Sequence, residues 1–213
     1  MYTPSLFEMH DARAIAALLA AHPFALLLTQ HGGELHATHL PFHFDAAAGP
    51  RGRLEAHLAR ANAHCAAIEA GAASTVVFSG PNAYVSPRWY ADPARNVPTW
   101  NYVAVHLHGR PRPLRDAAAV LRIIGTLTDA HEAGNARPWS IRDAQAHAEP
   151  LVRGVLAFEM DVERIEGKSK LSQNRSEPDR AGVMNALRAR GDASSVEMLR
   201  LMEALYTPEG ALR

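Results

Sequence analysis

The sequence predicts a mostly β (α+β) protein, an antiparallel barrel flanked by helices and finished by a C-terminal helical hairpin. Three observations predict it. Short apolar or alternating segments recur along the chain, separated by Gly, Pro and Asn turn signals. Few helical patterns stand between them, so the βαβ rhythm of a parallel sheet is missing. Helical periodicity is confined to a stretch near the start, two in the middle and a pair at the end.

The elements follow in chain order. Ala12 to Ala21 is rich in Ala and Leu, with Asp11 placed to cap the helix and Pro23 to end it. "FALLLTQ" and "ELHATHLPF" flank His31-Gly32-Gly33 and predict a hairpin. "GRLEAHL" predicts a strand running into a helix over "ARANAHCAAIEAG", which Gly71 closes and Asn62 caps. "ASTVVFSG" and "AYVSPRWY" surround Gly80-Pro81-Asn82 and predict a second hairpin. "WNYVAVHLHGRPRPL" predicts a long strand whose end is confined to an edge by Pro111 and Pro113. A helix over Asp116–His131 and a polar loop at Gly134-Asn135 precede the last strong strand, "RGVLAFEMDVERIEGKSKL". Helices over Asp179–Arg190 and Ser194–Tyr206, joined by Gly191-Asp192, complete the chain. Its 213 residues suit one core domain over 1–176, with 177–213 as a helical extension packed on it.

Composition narrows the function. Lys+Arg and Asp+Glu balance at 22 each, so no bulk positive field draws the chain to nucleic acid or an anionic membrane. The single cysteine, Cys65, excludes an intrachain disulfide and any multi-cysteine zinc site. No apolar run is long enough to span a membrane, and "MYTPSLFEMHD" lacks signal-peptide character, so a cytoplasmic protein is expected. Gly167-Lys168-Ser169 imitates the end of a phosphate loop, but Val162 occupies the first glycine position. No G-x-G-x-x-G and no G-x-S-x-G is present. His106 and His108 share one strand face and read as its polar side rather than as metal ligands.

What remains is a density of polar and aromatic residues at strand ends and loops: "ATHLPFHFD", "EAHLARAN", "YVSPRWY", "VPTWNYVAVHLHG" and "GKSKLSQNR". In this order and spacing the five segments resemble the PaiB-like family of FMN-binding negative transcriptional regulators. The resemblance runs from Met1 to about Gly182 and is most specific at Val97–Tyr102 and Lys170–Arg175. Two departures stand out: Ser169 sits between the lysines where a large aromatic is expected, and the Ala91–Asn96 loop is short.

The resemblance implies a flavin-reductase-like split barrel, a homodimer and FMN near the dimer interface. It suggests transcriptional repression, with redox or metabolite sensing as its purpose. A flavin-dependent oxidoreductase of unknown substrate and a haem-handling split-barrel relative are the alternatives. On this reading Arg60 and Asn62 would serve the phosphate at a helix start, beside His57. Thr38, His39 and Leu40 would offer backbone groups to the ring edge. Trp89, Tyr90 and Trp100 would pack on ring or ribityl chain, or else fill the core or dimer interface. Lys168 and Lys170, with Asn101 and Gln173 nearby, would bring positive charge to the pyrimidine edge. The acidic second helix, "SSVEMLRLMEALY", lacks the basic face of a recognition helix, so direct sequence-specific DNA binding is not expected.

Overall fold

The computed structural model describes residues 1–144 and 152–206. Seven strands form one sheet: β1 Phe24–His31, β2 Glu34–Pro41, β3 His43–Asp45, β4 Arg53–Ala59, β5 Ser74–Val85, β6 Thr99–Leu114 and β7 Val155–Lys170, in the order β2-β1-β5-β6-β7-β4-β3. The helices are α1 Ala12–Ala21, α2 His64–Glu69, α3 Ala117–Glu132, α4 Glu177–Arg190 and α5 Ala193–Tyr206. This is the mostly β, split-barrel class that the sequence predicts.

Most elements form where local chemistry places them. Gly32 (φ 59°) and Gly33 (φ 85°) supply the two left-handed residues that a tight β1–β2 hairpin requires, and all eight residues of β1 pair with β2. The Asp116 carboxylate caps α3 by accepting from the Ala119 amide at 2.9 Å. α4 starts at a Ser176 cap and stops at Gly191 (φ 64°), whose amide returns to the Leu187 carbonyl.

One expectation fails. No hairpin interrupts residues 74–85, because β5 runs straight through Gly80-Pro81-Asn82. Burial alternates through Ser74, Val76, Phe78 and Gly80, then resumes one residue out of phase at Pro81, Ala83 and Val85. That slip is the signature of a bulge, where Gly and Pro are tolerated inside a strand. Pro111 and Pro113 fall in the last four residues of β6, which stands between β5 and β7 in the sheet order. Ala63 immediately precedes α2 but is itself helical and has no capping side chain, and Asn62 one residue earlier does the capping, its Oδ1 accepting from the His64 amide at 2.9 Å.

The chain divides into two compact units. One comprises Met1–Asp11, Ser79–Ala104 and Glu166–Arg213; the other comprises Ala12–Phe78 and Val105–Ile165. In the second unit Val120, Ile123 and Leu127 of α3 join Val152 and Ala157 in one buried cluster. On its rim Arg122 reaches the buried Glu55 (2.7 Å) and Glu159 (2.9 Å), while Arg53 and Arg112 hold Asp161. The hydrogen bond from Arg53, above all, holds the Asp161 carboxyl below the usual carboxylate range. In the first unit the helical hairpin α4–α5 packs near the Trp89 segment. The Trp89 carbonyl lies where a side chain on Gly182 would have to go, 2.0 Å from an added Cβ, so only glycine fits.

Candidate functional site

The residues singled out by sequence gather into two clusters, one in each unit. In the unit holding β1 and β2, Thr38 stands on an edge strand, so the outer backbone groups of β2 lack a strand partner. Its hydroxyl lies 2.9 Å from Nδ1 of His64 and 3.4 Å from Nδ2 of Asn62. His39 is exposed and stacks on Phe24 at 5.9 Å, whereas Leu40 is a core residue, leaving only its backbone for a ligand. His64, which sequence reasoning missed, is the hub of the cluster: it is 1% exposed, with Nε2 at 2.8 Å from the Thr29 hydroxyl. Burial, and secondarily His36, push its pKa down to about 4, so the ring is neutral at physiological pH. The only sequence signals were polar Thr29 and Ser74 at apolar-facing strand positions.

The start of α2 is a poor phosphate cradle. Its helix has six residues, and its first amides are already used: His64 by Asn62 Oδ1, Cys65 by the Asn62 carbonyl, Ala66 by the Ala63 carbonyl. Arg60 is exposed, with Nε on the Arg153 carbonyl at 3.1 Å, and its other guanidinium nitrogens have no partner among the described residues. His57 does not join this cluster. It is half-buried on β4 in register with Ala157, and its Nδ1 is buried without a partner, which lowers its pKa.

The other unit carries the basic cluster. Lys168 is buried, donates to the Tyr2 carbonyl at 3.0 Å, and lies 4.9 Å from the Tyr102 ring centroid. Lys170 donates to the Thr99 hydroxyl, and desolvation, then Lys168 and Arg175, lower its pKa. Arg175 lies over the Tyr90 ring at 4.4 Å and binds Asn96 Oδ1. Among the described residues none of these three cations forms a salt bridge, although the Asp179 carboxyl, held below its usual range chiefly by the Ala91 amide, is near enough for Arg175 to help hold it there. The Tyr90 hydroxyl is buried without a hydrogen bond, and that burial raises its pKa.

Lys168 and Lys170 stand at the end of β7, and a tight loop after the strand carries Arg175. Ser172 adopts a left-handed backbone (φ 67°), a strained position for a non-glycine residue, and is held by Asn101 Nδ2 at 2.9 Å. Gln173 ties the loop internally, accepting from the Leu171 amide and donating to the Ser169 carbonyl. Asn101 and Gln173 therefore shape the loop instead of reaching outward. Trp100 is 53% exposed and meets Tyr84 edge to face at 5.8 Å, while Trp89 is partly buried. A separate crevice of about 310 Å³, lined by residues such as Leu19, Phe42, Phe44 and Leu127, contains none of the predicted site residues.

A family model described as "Putative FMN-binding domain" matches residues 1–164. The chain is 33% identical over 205 residues to the Bacillus subtilis protein named protease synthase and sporulation protein PAI 2, spanning 95% of this chain and 97% of that one. It is 27% identical over 224 residues to an uncharacterized protein of Emericella nidulans, spanning 87% and 89%. A solved structure of an FAD and haem binding protein from Mycobacterium smegmatis superposes with a TM-score of 0.61 at 18% identity, covering 82% of this chain and 78% of that one. A flavocytochrome from Azotobacter vinelandii gives 0.56 at 19% identity, covering 82% and 75%. At these identities the structural likeness is one of fold.

Proposed function

We propose, from the premise that this chain belongs to the FMN-binding domain family and is PaiB-like over nearly its whole length, that it binds flavin mononucleotide as a homodimer. The observation that carries this reading is the basic cluster. Lys168 and Lys170 are held by a carbonyl, a hydroxyl and aromatic rings and Arg175 by an amide and a ring, with Asp179 near Arg175 alone, so the two lysines offer their charge to an anionic ligand. Reduced flavin carries its negative charge at the pyrimidine edge, and cations held in a partly desolvated place stabilise it there. In the homodimer the basic cluster of one protomer would reach the flavin of its partner, and the outer edge of β2 suits a ring's row of alternating donors and acceptors. With the α2 amides consumed, the phosphate falls to Arg60 as a charge-assisted contact.

The reading extends to a redox or metabolite sensor in transcriptional repression. α5 presents Glu197 and Glu203 against Arg200, and Glu203 also pairs with Arg188 at 2.7 Å, so this helix is ill suited to a DNA groove. Repression would then run through a partner protein. Calorimetric titration with FMN, riboflavin and FAD tests the binding claim. FMN is expected to bind most tightly, and an absence of saturable FMN binding would overturn it.

A further inference from the structure

With the His64 ring neutral, the hydrogen bonds around it have only one consistent set of proton positions. The Ser74 hydroxyl lies 3.0 Å from the Ala72 carbonyl, which has no proton to give, so Ser74 donates there. Ser74 has a single proton, so its 2.7 Å contact with Thr29 must be a donation from Thr29. Thr29 is then spent and must accept from Nε2 of His64 at 2.8 Å. A neutral imidazole with its proton on Nε2 has a lone pair on Nδ1, which must accept from the Thr38 hydroxyl at 2.9 Å. The Asn62 amide is oriented independently. Its Oδ1 accepts from the His64 amide at 2.9 Å, leaving Nδ2 to donate toward Thr38 at 3.4 Å. Every arrow agrees, from Asn62 through Thr38, His64, Thr29 and Ser74 to a main-chain carbonyl.

We propose that Thr38 is the polarity-selecting contact of the ligand site: the one-way chain through buried His64 commits its hydroxyl proton inward, so toward a ligand Thr38 offers only a lone pair. The inference rests on the flavin-binding reading for the ligand's identity, but its direction rests on proton counting around a buried, neutral His64. Thr38 is half-buried on the edge strand, and Asn62 takes one of its two lone pairs, leaving the second for a group that docks at that edge. A group that docks there must donate an N–H or O–H. A phosphate oxygen, which needs a donor, is excluded. In a flavin the matching donors are the imide N–H of the ring and the hydroxyls of the ribityl chain.

Two measurements test this. Nitrogen NMR of the intact protein at neutral pH should show His64 neutral with its proton on Nε2. A proton on Nδ1, or a doubly protonated ring, reverses the Thr38 arrow and overturns the proposal whether or not flavin binds. Affinities of wild type and Thr38→Val are then compared for FMN, N3-methyl-FMN and lumiflavin. Thr38→Val should weaken FMN about three- to tenfold, the loss of one hydrogen bond. If the donor is the imide, that penalty vanishes with N3-methyl-FMN; if it is a ribityl hydroxyl, the penalty persists there and vanishes with lumiflavin. Thr38→Ser, which keeps the hydroxyl, should bind as wild type and controls for altered packing. Equal FMN affinity of wild type and Thr38→Val overturns the proposal. If wild type itself binds no flavin, the functional reading fails, and the NMR result alone decides the direction of the chain.

Discussion

Lys170→Met separates a ligand-binding role from a structural one, because the two predict opposite outcomes. The substitution keeps the aliphatic stem and removes Nζ. In the free protein Nζ makes one hydrogen bond, to the Thr99 hydroxyl, in a partly desolvated place beside Lys168 and Arg175. Losing that bond costs about 1 kcal/mol. Relief from desolvation and like-charge repulsion offsets it, so the flavin-free stability should stay within about 1 kcal/mol of wild type. For a chain of this size that is a Tm change of roughly 2–4 °C or less. With flavin, the variant loses a charge-assisted contact worth about 1.5–3 kcal/mol, which is roughly a ten- to hundredfold weaker Kd. Reduced flavin should suffer more than oxidised flavin, lowering the midpoint potential. The assay is paired: thermal melts of the flavin-free proteins, then titrations under oxidising and reducing conditions. A collapse of stability with affinity unchanged would refute the assignment and make Lys170 a structural residue.

Three further outcomes are expected. Arg60→Ala should weaken FMN by about one to two orders of magnitude and leave riboflavin, which lacks the phosphate, almost unchanged; equal losses by titration would remove Arg60 from the phosphate site. Gly182→Ala gains up to about 1 kcal/mol of helix propensity but forces its Cβ to 2.0 Å from the Trp89 carbonyl, so the clash should win and the denaturation midpoint should fall by about 1–3 kcal/mol equivalent. Because the unfolded chain protonates His64 near pH 6.5 and the folded chain only near 4, stability should be full above pH 7 and fall by up to about 3 kcal/mol on acidification through that window. Urea melts of wild type and His64→Gln should show that slope in the former and a shallower one in the latter.

The fold was legible wherever a local rule decided the backbone. Gly32-Gly33 dictates a tight hairpin, Asp116 a helix start, and the long alternations of β6 and β7 leave little choice. Gly80-Pro81-Asn82 misled because the same dipeptides that make turns also make bulges, and only the neighbouring strands decide which forms. β3, three residues long, carries too short a pattern to read, and exists through its pairing with β4.

The site was legible as residue types but not as connections. Lys168, Lys170 and Thr38 stand out in sequence, whereas the His64 chain joins residues 26, 35 and 45 positions apart, distances at which no local pattern survives. The start of α2 shows the same limit. Asn62 is legible as a cap, but not that its side chain and carbonyl consume two of the amides a phosphate would need. Asn101 illustrates the reverse case: a polar residue in a specific motif is fully buried, fixing the Ser172 loop that follows the β7 lysines.

The most direct test of the flavin assignment is the absorption spectrum of freshly purified protein, followed by chromatography of the cofactor released on heating. The account predicts the paired blue and near-ultraviolet bands of an oxidised flavin, with the released compound running as FMN. A haem spectrum without flavin, or a colourless protein that takes up no FMN when it is added, would contradict it.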